Sequence, residues 1–214
     1  MHKCKLCQAD TRLLNDSKKG LFYYRCSSCG FLYLDDKFVI DKESEKSQYD
    51  MHENSFESLG YVQMFEDFIE KAIIPYEKNI VTALEFGCGS GPVLAELLSR
   101  KGMAVDKYDL YFYPEKVYEG KQYDLITSTE VFEHLKKPIE VLKMLVEHTN
   151  NNGYIILMTK FPPKDDAEFL AWWYRRDPTH ISFFTPKSFE LMAEKVGLKV
   201  LKTIDKNIVV FQKC

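Results

Sequence analysis

The sequence predicts an α/β protein, in which a mostly parallel β-sheet is covered by helices on both faces and is preceded by a small cysteine-rich module. Two observations support this prediction. Strand-type and helix-type segments alternate from residue 81 onwards, and four of the six cysteines lie within the first 29 residues. The 214 residues, 45% hydrophobic and 29% charged, suit one globular domain with a small appendage and exclude disorder throughout.

The charge balance argues against bulk attraction to nucleic acid or to an anionic membrane. Lysine and arginine number 29 against 32 acidic residues, which gives a formal net charge of −3. No apolar run approaches the ~18 residues of a membrane span. The first residues, Met1 to Cys4, lack the apolar region of a signal peptide. We therefore expect a soluble, cytoplasmic protein without a membrane partner.

The cysteine-rich module has the spacing of a structural metal site. Its cysteines follow the pattern C-x2-C-x18-C-x2-C: Cys4, Cys7, Cys26 and Cys29. Four thiolates close the tetrahedral shell of one Zn²⁺ ion, so this zinc is expected to be structural rather than catalytic. Strands at residues 21–24 and 31–34 complete the predicted zinc ribbon. The alternative is two disulfides, which a cytosolic protein disfavours. Cys88 and Cys214 are expected to be free thiols.

The rest of the chain divides into alternating elements. Residues 35–46, rich in charge, predict a linker. Apolar spacing predicts helices at about 55–74, where Pro75 is expected to end the helix, from Pro92 to Gly102, at 138–148 and at 186–196. Short apolar runs predict strands at 81–86, 103–109, 123–127, 154–159, 198–204 and 208–212. This alternation implies a parallel sheet covered on both faces.

A glycine-rich loop follows the first of these strands. Glu85, Gly87, Gly89 and Gly91 form the pattern E-x-G-x-G-x-G, whereas a dinucleotide fingerprint requires glycine at the position of Pro92. A strand, a glycine loop and a helix make a ligand site at the carboxyl edge of a parallel sheet. The pattern resembles motif I of the class I S-adenosylmethionine-dependent methyltransferases.

The resemblance extends over residues 49–211. Residues 124–135, which end in E-H-L, are similar to the family's fourth strand and following turn, and residues 152–156 resemble its turn into the fifth strand. Residues 177–185 resemble the P-x-H-x-x-F-F segment of a small-molecule branch related to ubiquinone-pathway methyltransferases, some of which carry an N-terminal cysteine cluster. The resemblance implies a Rossmann-like, seven-stranded-type methyltransferase sheet, S-adenosylmethionine as cofactor and a small-molecule substrate.

The resemblance also implies roles for residues around the loop. In the family, the glycines pack against the methionine part of the cofactor, and an acid placed as Glu85 helps to hold its amino group. An acid at the end of the next strand accepts the ribose hydroxyls; Asp109 fits this role, and Asp106 is its rival within the strand. The implied cofactor contacts are Glu85, Phe86, Gly87, Cys88, Gly89, Gly91, Asp109, Leu110, Thr129, Glu130 and Tyr49.

The region after Asp109 is shorter than in the resembled family. Only 13 residues separate Asp109 from Tyr123, where the family usually fits a helix, a third strand and an adenine-contacting acid. We expect a short helix or a short strand there, but not both. Tyr111, Phe112 and Tyr113 either stack on the adenine or cover the edge of the sheet.

Two histidines are candidate catalytic residues. Methyl transfer requires a nucleophile aligned behind the methyl carbon, and a base only where that nucleophile loses a proton. His180, on the loop after the strand at 154–159, is the leading candidate base; the alternative is that it ties down the loop by hydrogen bonds. His134 is the second candidate, for substrate contact or as a structural group at a helix start.

Two further clusters are candidates for substrate contact. The segment 49–54 precedes the first core helix, and in related enzymes this entry segment closes over the cofactor as a lid. In the segment 172–176, a packed helix explains the aromatic residues, while either arginine has the geometry to clamp a carboxylate or phosphate. The substrate candidates are His52, Asn54, Trp173, Arg175 and Arg176.

These assignments divide the chain into a zinc ribbon at residues 1–34, a linker and cofactor lid at 35–54, and a methyltransferase domain at 55–214. The leading hypothesis is methyl transfer to a small molecule. An RNA substrate docked by the ribbon is the first alternative; residues 1–34 carry six basic residues against two acidic ones, a mild basic bias. A protein substrate is also left open. A non-catalytic module that binds the cofactor or a partner protein is the second.

Overall fold

In the computed structural model of the protein, residues 2–50 and 55–214 are described. Their strands are β1 (Thr11–Asp16), β2 (Leu21–Cys26), β3 (Leu32–Leu34), β4 (Thr82–Phe86), β5 (Ala104–Tyr108), β6 (Tyr123–Thr129), β7 (Thr149–Met158), β8 (Ser182–Phe183), β9 (Leu198–Ile204) and β10 (Ile208–Lys213). Their α-helices are α1 (Lys42–Tyr49), α2 (Leu59–Phe68), α3 (Val93–Arg100), α4 (Pro138–Glu147), α5 (Asp166–Ala171) and α6 (Pro186–Val196). None of the helices within these residues is both long and apolar enough to span a bilayer.

The larger sheet confirms the α/β prediction. Its six strands lie in the order β5-β4-β6-β7-β10-β9. The first four are parallel, while β10 is antiparallel to both β7 and β9. Successive side chains point to opposite faces: Leu125 packs in one cluster with residues of α2 and α3, and Ile126 packs in another with residues of α4 and α6. The sheet is therefore buried between two layers of helices.

The shortened region after β5 contains neither of the expected elements. Residues 110–122 form turns and a single bridge between Asp109 and Tyr113. The Asp109 carboxylate accepts the amides of Tyr111 and Phe112, which closes a turn immediately after the strand. Too few residues then remain for a helix and a strand. As a result, β5 is an edge of a six-stranded sheet in the described part of the chain.

Two helix predictions are corrected by the structure. The charged segment predicted as a linker contains α1, whose cap residue Asp41 accepts the amide of Ser44 at 2.8 Å. Since α1 buries no residue, apolar periodicity does not reveal it. The first core helix also does not end at Pro75. Beyond α2 it continues as a π-helical segment, Ile69–Ile73, and a 3₁₀ segment, Ile74–Asn79, with the proline in the first turn, where its missing N–H is tolerated.

The cysteine-rich module shares a sheet with the larger domain. Its strand order is β1-β2-β3-β8, so its fourth strand comes from residues 182–183. Leu32 lies opposite Phe183 in an antiparallel pair. These strands and α5 share one apolar cluster, which includes Leu14, Tyr23 and Phe169. The predicted strands of the module are present, whereas β1 and β8 are not predicted from the sequence.

Candidate functional site

A cavity of about 1050 Å³ opens at the carboxyl ends of β4, β5 and β6. This is the edge at which open parallel sheets bind ligands. Most of the sequence-predicted residues line it: Tyr49, Glu85, Phe86, Gly87, Cys88, Gly89, Asp109, Leu110, Thr129, Glu130, His134, Trp173 and His180. Gly91, Arg175 and Arg176 do not line it. His52 and Asn54 lie outside the described residues.

The glycine loop brings bare backbone to the cavity wall. Gly87 has a φ of 84°, and a Cβ atom there would lie 2.2 Å from Cγ2 of Val131. Gly89 has a φ of 66°. The amides of Gly87 and Cys88 donate to the carbonyl of Tyr108 at 2.7 and 3.1 Å, which ties the loop to the end of β5. A ligand can therefore approach the main chain closely here.

Glu85 is a buried carboxylate at the end of β4, only 2% exposed. Its Oε2 accepts a hydrogen bond of 2.8 Å from the amide of Ala95 in the first turn of α3. Burial raises the pKa of Glu85 to about 8, because the charged form loses hydration. A ligand cation beside the carboxylate favours the ionised form. The position therefore suits the amino-group contact that the resemblance implies.

The two rival acids at β5 have different surroundings. Asp106 pairs with Lys121 and accepts the hydroxyl of Tyr123, both at 2.6 Å, and does not line the cavity. Asp109 lines the cavity and accepts three backbone amides: those of Gly89 at 2.9 Å, Tyr111 at 2.8 Å and Phe112 at 3.1 Å. A carboxylate has about four lone-pair positions. Asp109 can therefore accept one ligand hydroxyl without displacing a loop amide.

The aromatic residues after β5 also separate into two groups. Tyr111 and Phe112 line the cavity, whereas Tyr113 does not. Tyr113 exchanges backbone hydrogen bonds of 3.0 and 3.2 Å with Asp109 instead. Of the three, Tyr111 and Phe112 are therefore the rings placed to stack on a planar ligand.

Helix α1 forms one wall of the cavity. Glu45 accepts the hydroxyl of Tyr49 at 2.9 Å and that of Tyr111 at 2.7 Å. The Tyr49 ring meets the His134 ring edge-on, with 5.3 Å between centroids. These contacts place Tyr49 in the cavity wall, and its role as a lid residue stays a prediction. Glu45 is missed by sequence reasoning, because nothing in a charged segment distinguishes it from its neighbours.

A half-buried carboxylate, Glu130, and a buried one, Glu133, meet at the turn after β6. The Tyr174 hydroxyl lies 2.9 Å from Oε2 of Glu130 and also contacts Oε1 of Glu133. Glu130 has a φ of 53°, a backbone conformation that residues other than glycine rarely adopt. Burial, and then the charge of Glu133, raise the pKa of Glu130 to about 8. The sequence predictions do not include Glu133 and Tyr174 as site residues. Glu133 lies in the E-H-L segment and Tyr174 in the aromatic segment 172–176, and these motifs were the only indications in the sequence.

The two candidate catalytic histidines lie together. Their ring centroids are 4.8 Å apart. Nδ1 of His134 lies 3.1 Å from the carbonyl oxygen of Thr179, and Nδ1 of His180 lies 2.7 Å from that of Tyr174. Because a carbonyl only accepts, Nδ1 is the donor in both of these bonds. Nε2 of His180 is then the basic nitrogen of that neutral ring, and it lies 3.9 Å from Oδ2 of Asp177. Burial lowers the pKa of His134, which keeps it neutral at pH 7.

Two groups in the described part of the chain have the spacing to hold a metal ion. Glu133, His134 and His180 offer one ligand atom each, all within 4.8 Å of one another. The four module cysteines form the other group, with the same limit on their Sγ separations.

The cysteine group fits a zinc ion. Sγ of Cys4 lies 3.8 Å from that of Cys29, and Sγ of Cys7 lies 3.4 Å from that of Cys26. Tetrahedral zinc–sulfur bonds of about 2.3 Å place sulfur atoms about 3.8 Å apart. The amides of Ser28 and Cys29 donate to Sγ of Cys26, as suits a thiolate. All four cysteines are unlinked, so the predicted disulfide alternative is not what the structure contains.

The arginine candidates are corrected by the structure. The Arg175 side chain is 3% exposed and pairs with Asp16 at 2.5 Å, so it does not contact the cavity. Arg176 lies outside the cavity and donates to the carbonyl of Ala171 at 3.4 Å. Trp173 is 60% exposed at the cavity rim, with the Lys160 ammonium 5.6 Å from its ring centroid. Of the three substrate candidates in this segment, Trp173 alone lines the cavity.

Solved structures with a similar fold include methyltransferases. Magnesium protoporphyrin IX methyltransferase (ChlM) from Synechocystis PCC 6803, with bound SAM, has a TM-score of 0.54 at 13% identity, over 84% of this chain and 94% of that one. A SAM-dependent methyltransferase from Archaeoglobus fulgidus has a TM-score of 0.53 at 17% identity, over 71% and 94%. The mitomycin 7-O-methyltransferase MmcR has a TM-score of 0.52 at 13% identity, over 83% and 59%.

Sequence comparison identifies the family. No curated protein matches the chain significantly. A family model described as a methyltransferase domain matches residues 52–203, a range that contains the glycine loop and both cavity histidines. Because this match covers well over half of the sequence, the chain belongs to the methyltransferase domain family.

Proposed function

We propose that the protein transfers a methyl group from S-adenosylmethionine to a small-molecule acceptor. The observation that carries the proposal is the presence of the glycine loop, Asp109 and the adjacent rings of His134 and His180 in one cavity. Among proteins of similar fold, one was solved with bound SAM and another is a mitomycin 7-O-methyltransferase.

The cavity fits the proposed cofactor at three places. The positive φ angles of Gly87 and Gly89 leave room for close approach to the main chain. The buried carboxylate of Glu85 offers a partner for an ammonium group, and Asp109 can accept a ribose hydroxyl. When bound, S-adenosylmethionine supplies an electrophilic methyl carbon on a sulfonium.

The protein's own residues then orient the acceptor and move its proton. Nε2 of His180 accepts the proton of a hydroxyl or amine acceptor, while its Nδ1–H stays bound to the carbonyl of Tyr174 and fixes the ring. His134, neutral because it is buried, contacts the acceptor through Nε2. Helix α1 limits the access of water, with Tyr49 against the His134 ring.

A structural Zn²⁺ ion at the four cysteines is part of the proposal. Four thiolates leave no open coordination position for a substrate, so the ion contributes to folding and not to chemistry. The basic residues of the module also favour a small-molecule substrate over RNA. Lys3 pairs with Asp10, Lys5 with Asp36, and Arg12 and Arg25 both pair with Asp166. These pairs reduce the charge available for RNA docking, although Asp166 serves two arginines and Lys18 and Lys19 are in none of the pairs.

Binding of S-adenosylhomocysteine, measured by calorimetry, tests the cofactor site. Gly89→Val is expected to lower the affinity at least tenfold, because it adds a β-branched side chain at a φ of 66° in the loop that lines the cavity. Gly60→Val is the matched control, since a Cβ atom at Gly60 meets nothing within 4 Å. Equal affinity in the two variants contradicts this cofactor site.

Transfer is tested with cofactor labelled in its methyl group, incubated with a metabolite extract and, separately, with total RNA. We expect label in the metabolite fraction. Label in RNA alone contradicts the small-molecule proposal. If the protein binds the cofactor tightly but transfers label to neither pool, the non-catalytic alternative is supported instead. The enzyme concentration in this assay exceeds the dissociation constant of the cofactor.

A further inference from the structure

One segment of the methyltransferase domain, residues 174–185, contacts both the cysteine-rich module and the acceptor side of the cavity. The contacts alternate along it: Tyr174 and His180 line the cavity, while Arg175, Phe183 and Thr185 contact the module. Any displacement of the module therefore acts on residues one to five positions away from those that face the acceptor.

The strongest link is the ion pair of Asp16 in β1 with Arg175. The two side chains are 6% and 3% exposed, and their charged atoms lie 2.5 Å apart. Arg175 also donates to the carbonyls of Phe169 and Leu170 and lies 3.3 Å from the Tyr23 hydroxyl. Removal of one partner leaves the other charge buried without compensation, which is strongly unfavourable. The pair therefore fixes the backbone next to Tyr174.

Two other links join the segment to the module. The amide of Leu34 donates to the carbonyl of Ile181 at 2.9 Å, as β3 pairs with β8. The hydroxyl of Thr185, the cap of α6, donates to the carbonyl of Cys29 at 2.7 Å. Cys29 is one of the four residues that fit a zinc ion, so the metal site is one hydrogen bond away from this segment.

On its other side, the segment orients the acceptor site. The carbonyl of Tyr174 accepts Nδ1–H of His180, and its hydroxyl contacts Glu130 and Glu133. The amide of Ile181 donates to the carbonyl of Glu133 at 2.8 Å. By contrast, no hydrogen bond or ion pair between described residues joins residues 2–34 to the glycine loop, 85–91.

We propose that the cysteine-rich module positions the acceptor half of the active site, with Asp16 as a positioning residue that acts on Tyr174 and His180 through Arg175. A metal ion at the four cysteines then supports acceptor binding and turnover but not cofactor affinity. This inference rests on the proposed function for its consequence in catalysis, while the mechanical link stands on the contacts alone.

Intrinsic tryptophan fluorescence can report on this link between the module and the segment. Both tryptophans of the chain lie beside the segment, and the Trp172 ring packs against Tyr174 at 5.0 Å and Phe183 at 6.0 Å between centroids. The test uses the full, zinc-loaded chain with Trp173→Phe, so that emission reports Trp172 alone. Asp16→Ala is compared with Asp10→Asn, which removes an exposed ion pair with Lys3 from the same module.

In Asp16→Ala we expect the fluorescence emission of Trp172 to shift to longer wavelength. The rate of amide hydrogen exchange in residues 174–184 should rise at least tenfold. Exchange in β4, and affinity for S-adenosylhomocysteine, should stay within twofold, and Asp10→Asn should match the parent. Asp16→Glu, which keeps the charge, should restore part of the protection. Zinc removal by a chelator should produce the same local increase in exchange.

Unchanged emission and exchange in Asp16→Ala overturn the inference. It is also overturned if exchange rises equally in β4 and affinity falls in parallel, because Asp16 then supports only global stability. Unchanged exchange after complete zinc removal overturns the role of the metal. If the parent chain does not bind S-adenosylhomocysteine, the proposed function fails, while emission and exchange still decide the link.

Discussion

Glu45 of α1 and Tyr111 of the turn after β5 are joined by a hydrogen bond of 2.7 Å, and the same carboxylate accepts the hydroxyl of Tyr49. A helix that precedes the family match is thereby connected to the turn whose aromatic residues are candidates to stack on the adenine. One carboxylate thus fixes two aromatic side chains that line the cavity. This geometry predicts that closure over the cofactor depends on Glu45.

Glu45→Ala removes both hydrogen bonds. We expect the dissociation rate of S-adenosylhomocysteine to rise about fivefold, which corresponds to roughly 1 kcal/mol for bonds to a partly exposed charged group. Stopped-flow fluorescence measures the rate. Glu43→Ala is the matched control, since Glu43 is an exposed acid of the same helix. Equal rates in the two variants exclude α1 as a lid held by Glu45.

The raised pKa of Glu85 predicts a pH dependence of stability. The folded pKa of about 8 exceeds the ordinary value of 4.5, so the folded state binds the proton more tightly than the unfolded state. The contribution of Glu85 to the free energy of unfolding is therefore fully present below pH 4.5 and is lost as the pH rises to 8. In Glu85→Gln, the melting temperature should fall less between pH 5 and pH 8 than in the parent.

The same group predicts how cofactor affinity depends on pH. A bound ammonium group favours ionised Glu85, so binding releases a proton below pH 8. Affinity for S-adenosylhomocysteine should rise with pH, by up to about tenfold per unit, until the pKa is passed. Calorimetry in buffers of different ionisation enthalpy measures the released proton. Glu85→Gln should abolish this release, and a variant that still releases it assigns the proton to another group.

The parts of the site that sequence reasoning anticipates are those with local spacing. The glycine loop with Asp109, and the four cysteines, are each defined by residues within 25 positions of one another, so the sequence alone indicates their chemistry. The fold class follows in the same way, because strand and helix periodicities are local properties.

The features that the sequence does not predict depend on contacts between residues that are far apart in the sequence. Arg175 looks like a substrate clamp until its partner Asp16, 159 positions away, is known. Tyr174 reaches Glu133 over 41 positions. β8 has only two residues and exists because β3 pairs with it. Helix α1 lacks an apolar face altogether, so it is stabilised by its cap and by tertiary contacts that periodicity does not report.

Asp109→Ala should weaken cofactor binding about tenfold or more, since it removes a charged hydrogen bond of roughly 1.5–3 kcal/mol and releases the loop amides. Asp106→Ala is the control, because Asp106 is engaged with Lys121 and Tyr123 outside the cavity. Calorimetry with S-adenosylhomocysteine compares them. A larger loss in Asp106→Ala reverses the assignment of the ribose contact.

Metal analysis of the purified protein should find about one zinc ion per chain. Cys7→Ser removes one thiolate and is expected to lower both the zinc content and the melting temperature. Cys214→Ser is the matched control, since Cys214 is an exposed free thiol. Protein without zinc, whose four module thiols all react freely with a thiol reagent, contradicts the structural zinc site.

His180→Ala tests the proposed base. A hydroxyl or amine acceptor loses a proton during transfer, and a positioned base typically contributes 10²–10⁴-fold. We expect turnover to fall about a hundredfold or more, with affinity for S-adenosylhomocysteine nearly unchanged, because the substitution leaves the glycine loop and Asp109 intact. His148→Ala is the matched control; Nδ1 of His148 lies 3.0 Å from the carbonyl oxygen of Lys121, and the residue does not line the cavity.

The outcomes separate three roles for His180. Loss of cofactor affinity in proportion to turnover means that His180 holds the structure of the site. If turnover on a hydroxyl or amine acceptor stays near that of the parent, His180 is not the base. His134, whose ring lies 4.8 Å away, is then the next candidate. A small effect is expected if the acceptor is a thiolate or an activated carbon, because neither must lose a proton during transfer. The identity of the labelled product decides between these last two cases.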